Sequence, residues 1–126
     1  MMTDPISDML NQIKNAQAVS KSSITLPTSK FKEAILEVLK AKNYIKDFSS
    51  KDQVLTIKLN YINGRPAINK IKKISKPGLR IYANSKRIPN VMQGFGEVII
   101  STSAGIMTGK NARGKNLGGE VICEIY

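Results

Sequence analysis

The sequence has no histidine, no tryptophan and one cysteine, and it sets 9 carboxylates against 20 lysines and arginines. Each shortage removes a class of chemistry. Without histidine a Ser-His-Asp relay cannot be assembled, although a Ser-Lys dyad remains formally available. A single cysteine, Cys123, allows neither an intramolecular disulfide nor a cysteine-rich zinc site. Its alternation with apolar neighbours in Val121-Ile122-Cys123-Glu124-Ile125 marks it as core. The carboxylates are too scattered for paired acid–base hydrolysis. No apolar run approaches the ~20 residues that span a bilayer. The opening Met1-Met2-Thr3-Asp4-Pro5 lacks the basic and apolar regions of a signal peptide, which points to the cytoplasm or an organelle matrix. The chain is expected to recognise its ligand, not transform it, and to need no cofactor or metal.

What is abundant is positive charge, and it is local. The formal net charge is +11 over 126 residues, with a pI near 9.9. Residues 1–52 carry 8 basic and 6 acidic side chains, and residues 97–126 carry 3 of each. Residues 53–96 carry 9 basic side chains and no carboxylate. Such a block favours a polyanion, because each Lys or Arg on a phosphate releases a condensed counterion and nothing nearby repels the backbone. A membrane surface is the main rival. The basic block alternates like a strand, however, and lacks the helical amphipathicity of a membrane-surface segment.

Local patterns predict two small packed α+β domains, at residues 1–64 and 65–126. Asp4-Pro5 caps and opens a helix whose apolar face is Ile6, Met9, Leu10, Ile13 and Ala16. A short strand at Ile24-Thr25-Leu26 follows, then a turn and a second helix with a stripe of Phe31, Ala34, Ile35, Val38 and Leu39, ended by Asn43. Tyr44 to Phe48 and Val54 to Tyr61 read as an antiparallel pair joined at residues 49–52, completing an α-β-α-β-β lobe. Asn63-Gly64-Arg65-Pro66 is the turn-rich boundary. The second domain reads as mostly antiparallel β with one short helix. Its strands are expected at Ile68 to Ile74, around the Lys76-Pro77-Gly78 turn, at Glu97 to Thr102 and at Glu120 to Tyr126. The segment from Asn84 to Gly96 is loop-like, with a bend at Gly94-Phe95-Gly96. Thr108 caps a helix reaching about Asn116.

Ile99-Ile100-Ser101-Thr102-Ser103-Ala104-Gly105 carries a β-branched strand into three hydroxyls and a glycine, and Gly118-Gly119-Glu120 returns the chain beside it. Hydroxyls and free backbone N–H groups presented together suit an anionic ligand whose edges are read. Strand-end Ser and Thr can also simply cap the next turn. Gly109-Lys110-Asn111-Ala112-Arg113-Gly114-Lys115-Asn116 matches a phosphate-binding loop except at its last position, where Asn replaces the hydroxyl that would hold magnesium. Strand-like sequence stops near Thr102, so this segment reads instead as a basic, solvated helix.

Ile99, Ser101-Thr102-Ser103, Gly105, Met107-Thr108, Ala112-Arg113 and Gly118-Gly119-Glu120-Val121 resemble the C-terminal signature of the bacterial-type family of small-subunit ribosomal protein number eight. Asp4-Pro5-Ile6, Asp8-Met9-Leu10 and Lys14-Asn15-Ala16 resemble its opening helix, and Lys76-Pro77-Gly78-Leu79-Arg80-Ile81-Tyr82 its central hairpin. The resemblance implies a non-enzymatic protein of two packed α+β domains. The second would grip a distorted helix in the central domain of small-subunit rRNA early in assembly, beside neighbouring ribosomal proteins that include number five. In many bacteria the family also represses its own operon by binding an mRNA that mimics the rRNA site, and the sequence leaves this open.

Carried over by residue, the resemblance implies Ser101, Thr102 and Ser103 as the base- and sugar-reading loop, with Gly118, Gly119 and Glu120 beside it and Tyr82 nearby. Lys30 is implied as a supporting phosphate contact, and the basic block adds Lys70, Lys72, Lys73, Lys76 and Lys86 as interchangeable ones. Lys110 and Arg113 complete the candidate RNA contacts. Ala104, Gly109 and Tyr126 depart from the family's usual residues. Ala104 removes a phosphate contact, which bears on affinity more than on specificity. A nucleotide-dependent enzyme using the near-match loop and a scaffold touching mainly protein through its first lobe are the two alternative functions.

Overall fold

The computed structural model describes residues 4–91 and 96–126, so the bend expected at Gly94-Phe95 lies outside the described residues. The chain divides into two compact units, Pro5–Asn69 and Lys70–Tyr126, with Asp4 grouped with the second. The division falls after Asn69, five residues beyond the boundary expected after residue 64. Two-residue strands β4 (Tyr61–Ile62) and β5 (Arg65–Pro66) pair across Asn63-Gly64, whose φ values of 53° and 77° suit a tight hairpin turn. The Ala67 N–H donates to Asn60 O at 3.0 Å. These contacts keep residues 65–69 with the chain before them.

In the first unit, helix α1 (Pro5–Ala18) buries the expected Ile6, Met9, Leu10, Ile13 and Ala16, and also Gln17, whose amide donates to Ile68 O. Strand β1 (Ser23–Pro27), helix α2 (Lys30–Ala41), β2 (Ile45–Lys51) and β3 (Val54–Leu59) follow in the expected order. Ser29 caps α2 by accepting the Lys32 N–H. The buried stripe of α2 is Lys32, Ile35, Leu36 and Leu39, not the Phe31-to-Leu39 set read from the sequence, and Phe31 is 39% exposed. The helix can present Leu36 inward because the Lys32 ammonium donates to Pro27 O at 2.8 Å, so its stem is buried without an unpaired donor. The sheet order is β1-β3-β2, all antiparallel, with Leu55, Ile57 and Leu59 of the central strand facing inward. Asp52-Gln53, both in the left-handed region, close the β2–β3 hairpin more tightly than the expected four-residue connection. Tyr61 lies beyond β3.

In the second unit the strands are β6 (Ile71–Lys73), β7 (Tyr82–Ala83), β8 (Glu97–Thr102), β9 (Gly105–Thr108) and β10 (Gly119–Ile125), with helix α3 (Gly109–Gly114) after β9. The sheet order is β6-β10-β8-β9, and β7 also pairs with β10. The strand expected from Ile68 to Ile74 shortens to three residues. Strand β9 was not expected at all: Ser103 and Ala104 form a turn, and the chain pairs back along β8 before entering α3. Val98, Ile100, Met107 and Val121 pack with Ala112 of α3 and with Ile88 and Val91 into one cluster. Both units are therefore helices on antiparallel sheets, an α+β fold.

Cys123 is fully buried on β10, and desolvation pushes its thiol up to about 12 from an ordinary value of 9.0. Between those values the unfolded thiol ionises while the folded one stays protonated, so stability is lost as pH rises from about 9 towards 12. We expect a stability slope of up to ~1.4 kcal/mol per pH unit there that Cys123→Ala removes, measured by urea unfolding at each pH. A maleimide should label Cys123 only after unfolding.

Candidate nucleic-acid interface

The C-terminal sheet gathers most of the hydroxyl, glycine and aromatic candidates at one end. Tyr82 on β7, Glu120 on β10, Ser101 on β8 and Ile106 on β9 are successive cross-strand partners. Cross-strand partners share a face, so one row presents a phenol, a carboxylate and a hydroxyl together. Tyr82 is 69% exposed, which leaves its ring free to stack. The row ends at the β8–β9 hairpin tip, where Thr102 opposes Gly105.

At that tip the three hydroxyls do different work. Thr102 Oγ1 donates to Gly105 O at 2.8 Å and accepts the Ala104 N–H at 3.1 Å, so it closes the turn. Gly105 has φ 116°, a conformation glycine adopts without strain. Ser103 is exposed at the tip, and Ser101 is half-buried in the cross-sheet row. The turn-capping reading therefore holds for Thr102, and Ser103 is the exposed hydroxyl of the three.

Gly118 and Gly119 are fixed by backbone crowding. A Cβ on Gly118 would lie 2.5 Å from Ala83 O, and one on Gly119 would overlap the backbone of Ser101. Only glycine lets the start of β10 sit this close to β7 and β8. Glu120, next along, forms an ion pair with Arg80 at 3.0 Å. That carboxylate holds the Arg80 guanidinium still more firmly protonated than usual, through the hydrogen bond first and its charge second. Arg80 was not among the sequence-derived candidates. Its place beside Tyr82 in the hairpin segment is local and legible, but its pairing with a residue 40 positions later is not.

The basic candidates are dispersed. Lys70 precedes β6, and Lys72 and Lys73 lie on it, beside the Cys123–Ile125 end of β10. Lys73 differs from the rest: its ammonium donates to Ser75 O and pairs with Asp4 at 3.5 Å, and its side chain is 14% exposed. It is a structural lysine, not one of five equivalent phosphate contacts. Lys76 sits in a turn closed by reciprocal Lys76–Leu79 backbone bonds. Lys86 lies in the next exposed turn, which Ser85 ties to Asn116 by donating to its Oδ1. On α3, Lys110 lies 3.8 Å from Glu97 and Arg113 donates to Ile88 O at 2.8 Å. Lys30 is exposed on the first residue of α2, in the other unit.

The near-match phosphate loop is not a loop. Strand-like structure continues through β9 directly into it, contrary to the sequence reading, but residues 109–114 are themselves helical. The Lys115 and Asn116 N–H groups are used on Asn111 O and Arg113 O, and a Cβ on Gly109 would meet Ile88 at 2.8 Å. A phosphate cradle needs these N–H groups turned outward. No helix of the described residues is long and apolar enough to cross a membrane.

Comparison with known proteins places the chain in a family. The family model described as ribosomal protein S8 matches residues 4–126. The chain belongs to the ribosomal protein S8 family. It is similar to small ribosomal subunit protein uS8 of Laribacter hongkongensis, 52% identical over 126 residues that cover 97% of this chain and 96% of that one. The uS8 proteins of Cupriavidus metallidurans and Oleidesulfovibrio alaskensis are 50% and 47% identical, covering 98% and 100% of both chains. As an S8-family member the chain is a structural, non-enzymatic constituent of the small subunit of the cytoplasmic ribosome, with ribosomal RNA and other ribosomal proteins as its partners.

Two substitutions separate framework from contact. Thr102→Val should lower stability by ~1 kcal/mol and speed exchange of the Ala104 amide, while Ser103→Ala should leave the melting temperature unchanged. Gly119→Ala should destabilise by ~1–3 kcal/mol or more through backbone overlap. Gly114→Ala meets nothing within 4 Å and should be neutral or stabilising by ~0.5 kcal/mol. Thermal melts of the four variants check these outcomes.

Proposed function

We propose that the protein binds the central domain of small-subunit rRNA directly, using the C-terminal unit, and helps to organise subunit assembly. The observation that carries this reading is the Tyr82–Glu120–Ser101 row ending at the Ser103 tip. It sets a stacking ring, an acceptor and hydroxyl donors on one face, with exposed lysines on the neighbouring turns. Hydroxyl and carboxylate groups can read base edges and the ribose 2′-OH, while lysines position the phosphate backbone. Arg80, held by Glu120, adds a fixed cation to the row.

Residues 53–96, with no carboxylate, supply the long-range attraction. Resemblance to the family supports ribosomal protein number five as a neighbour. An operon mRNA folded like the rRNA site would meet the same hydroxyls and the same cations.

The purified chain should bind a central-domain rRNA fragment with an affinity that falls by orders of magnitude from low to moderate salt, as ~4–6 phosphate contacts require. A flat salt titration overturns the electrostatic part. Ser103→Ala should cost ~1–3 kcal/mol of binding, more for the matched RNA than for a base-substituted one. Lys72→Ala, Lys76→Ala and Lys86→Ala should weaken both RNAs alike and each lower the salt slope by ~1. Unchanged discrimination in well-folded Ser103→Ala protein returns the tip to a purely structural role.

A further inference from the structure

Between β6 and β7 the chain makes an excursion through residues 74–81, and a side chain joins its two ends where a strand ladder would use backbone. Ser75 is 0% exposed, and its hydroxyl is used in both directions. It accepts the Ile81 N–H at 2.8 Å and donates to Ile81 O at 3.2 Å. The same Ile81 carbonyl accepts the Val121 N–H of β10 at 2.8 Å, so both of its lone pairs are engaged. The outer turn closes separately, through the reciprocal Lys76–Leu79 bonds.

Ser75 is itself held from behind. The Lys73 ammonium donates to Ser75 O and pairs with Asp4 at 3.5 Å, and the two charged side chains are only 14% and 22% exposed. The Ile74 N–H donates to Ile122 O at 3.0 Å, which anchors the start of the excursion on β10. A buried hydroxyl adds little apolar burial, and it is tolerated here because its donor and its acceptor are both satisfied. Its contribution is directional. The Ile81 N–H belongs to the peptide that links it to Arg80, and its C=O to the peptide that links it to Tyr82. Each peptide is a rigid plane, so gripping both groups orients the backbone on which both side chains stand. Tyr82 is 69% exposed and has little packing of its own to aim it. The Arg80 guanidinium meets Glu120 at 3.0 Å only if the backbone beneath it points that way.

We propose that Ser75 is a positioning residue for RNA recognition, holding Tyr82 and Arg80 in their working directions before RNA arrives, with Lys73 and Asp4 locking Ser75 in turn. A ring and a guanidinium aimed in advance lose less ordering entropy on binding. No atom of Ser75, Lys73 or Asp4 has to touch RNA. The proposal rests on the Tyr82–Glu120–Ser101 row as the RNA-binding surface and names what sets the outer member of that row.

The test uses the full chain, at temperatures well below each variant's melting point. Ser75→Ala should speed exchange of the Ile81 amide and weaken binding to a central-domain rRNA fragment roughly three- to tenfold, the size of one lost hydrogen bond. Tyr82→Ala alone should weaken binding roughly tenfold. In that background Ser75→Ala should cost a smaller factor than it does alone, because the ring it aims is gone. Wild-type affinity in Ser75→Ala, or equal factors in the two backgrounds, overturns the proposal, since a merely structural serine would act alike on either surface. Two further variants decide the matter if Ser75→Ala fails to fold. Asp4→Asn removes one negative charge and takes the formal net charge from +11 to +12, which by charge alone strengthens attraction to RNA. Asn also serves as well as Asp ahead of a helix. Positioning requires weaker binding all the same, and tighter binding overturns it. Lys73→Gln should weaken binding with the salt slope unchanged, whereas a slope lowered by ~1 would make Lys73 a phosphate contact and overturn its assignment here. A wild-type chain that binds no rRNA, or Tyr82→Ala without effect, overturns the RNA-binding row and the proposal with it.

Discussion

The backbone crowding at Gly118 and Gly119 is the constraint on which the proposed RNA-binding row depends. Strand β10 enters between β7 and β8 with no room for a Cβ at either position. That squeeze places Glu120 opposite both Tyr82 and Ser101. Were the strands held apart by even one methyl group, the stacking ring and the hydroxyl would no longer share a row with the carboxylate. The row therefore follows from what two positions lack, and Tyr82, Glu120 and Ser101 are aligned by residues that have no side chain.

A carboxylate in a row proposed to meet RNA needs an explanation, since it repels phosphate. Arg80 supplies it. The pair is net neutral and only partly exposed on the acid side, with Glu120 at 16% and Arg80 at 55%. Glu120 can thus accept a hydrogen bond from a base or a 2′-OH without setting an unpaired negative charge against the backbone, and the guanidinium gains a fixed direction. Partly exposed pairs of this kind add little to stability, so the arrangement makes better sense as orientation than as reinforcement.

Much of this was legible in the chain, for reasons that differ by element. Helix α1 announced itself through a capping Asp-Pro and an apolar face of regular period, both local signals. Strand β8 could be read because Val98, Ile99 and Ile100 are β-branched and end in hydroxyls. The inward face of α2 differs from the expected one because Phe31, Ala34 and Val38 fit the same period as Leu36, and what makes Lys32 tolerable inside is the Pro27 carbonyl, a hydrogen-bond partner that periodicity does not reveal. Strand β9 was missed because four residues beginning with glycine and ending in a cap carry no alternation. The lysines looked equivalent since charge is visible in sequence, whereas the Asp4 and Ser75 partners of Lys73 and the Glu120 partner of Arg80 are consequences of folding.

Strand β10 is hydrogen-bonded to β6, β7 and β8, yet it is the last of the sheet's strands along the chain. During synthesis, then, the unit has its borders before it has its middle. The N-terminal unit has all its partners once residue 69 is made, but β6 and β7 have no strand to dock on until Gly119–Ile125 leaves the ribosome. For the whole of that interval the segment that carries Lys70, Lys72, Lys73 and Lys76 lacks the strand that pairs with β6 and β7. The positive charge of residues 70–86 is thus made before the strand that fixes its place, and the arrival of β10 completes the sheet that holds it.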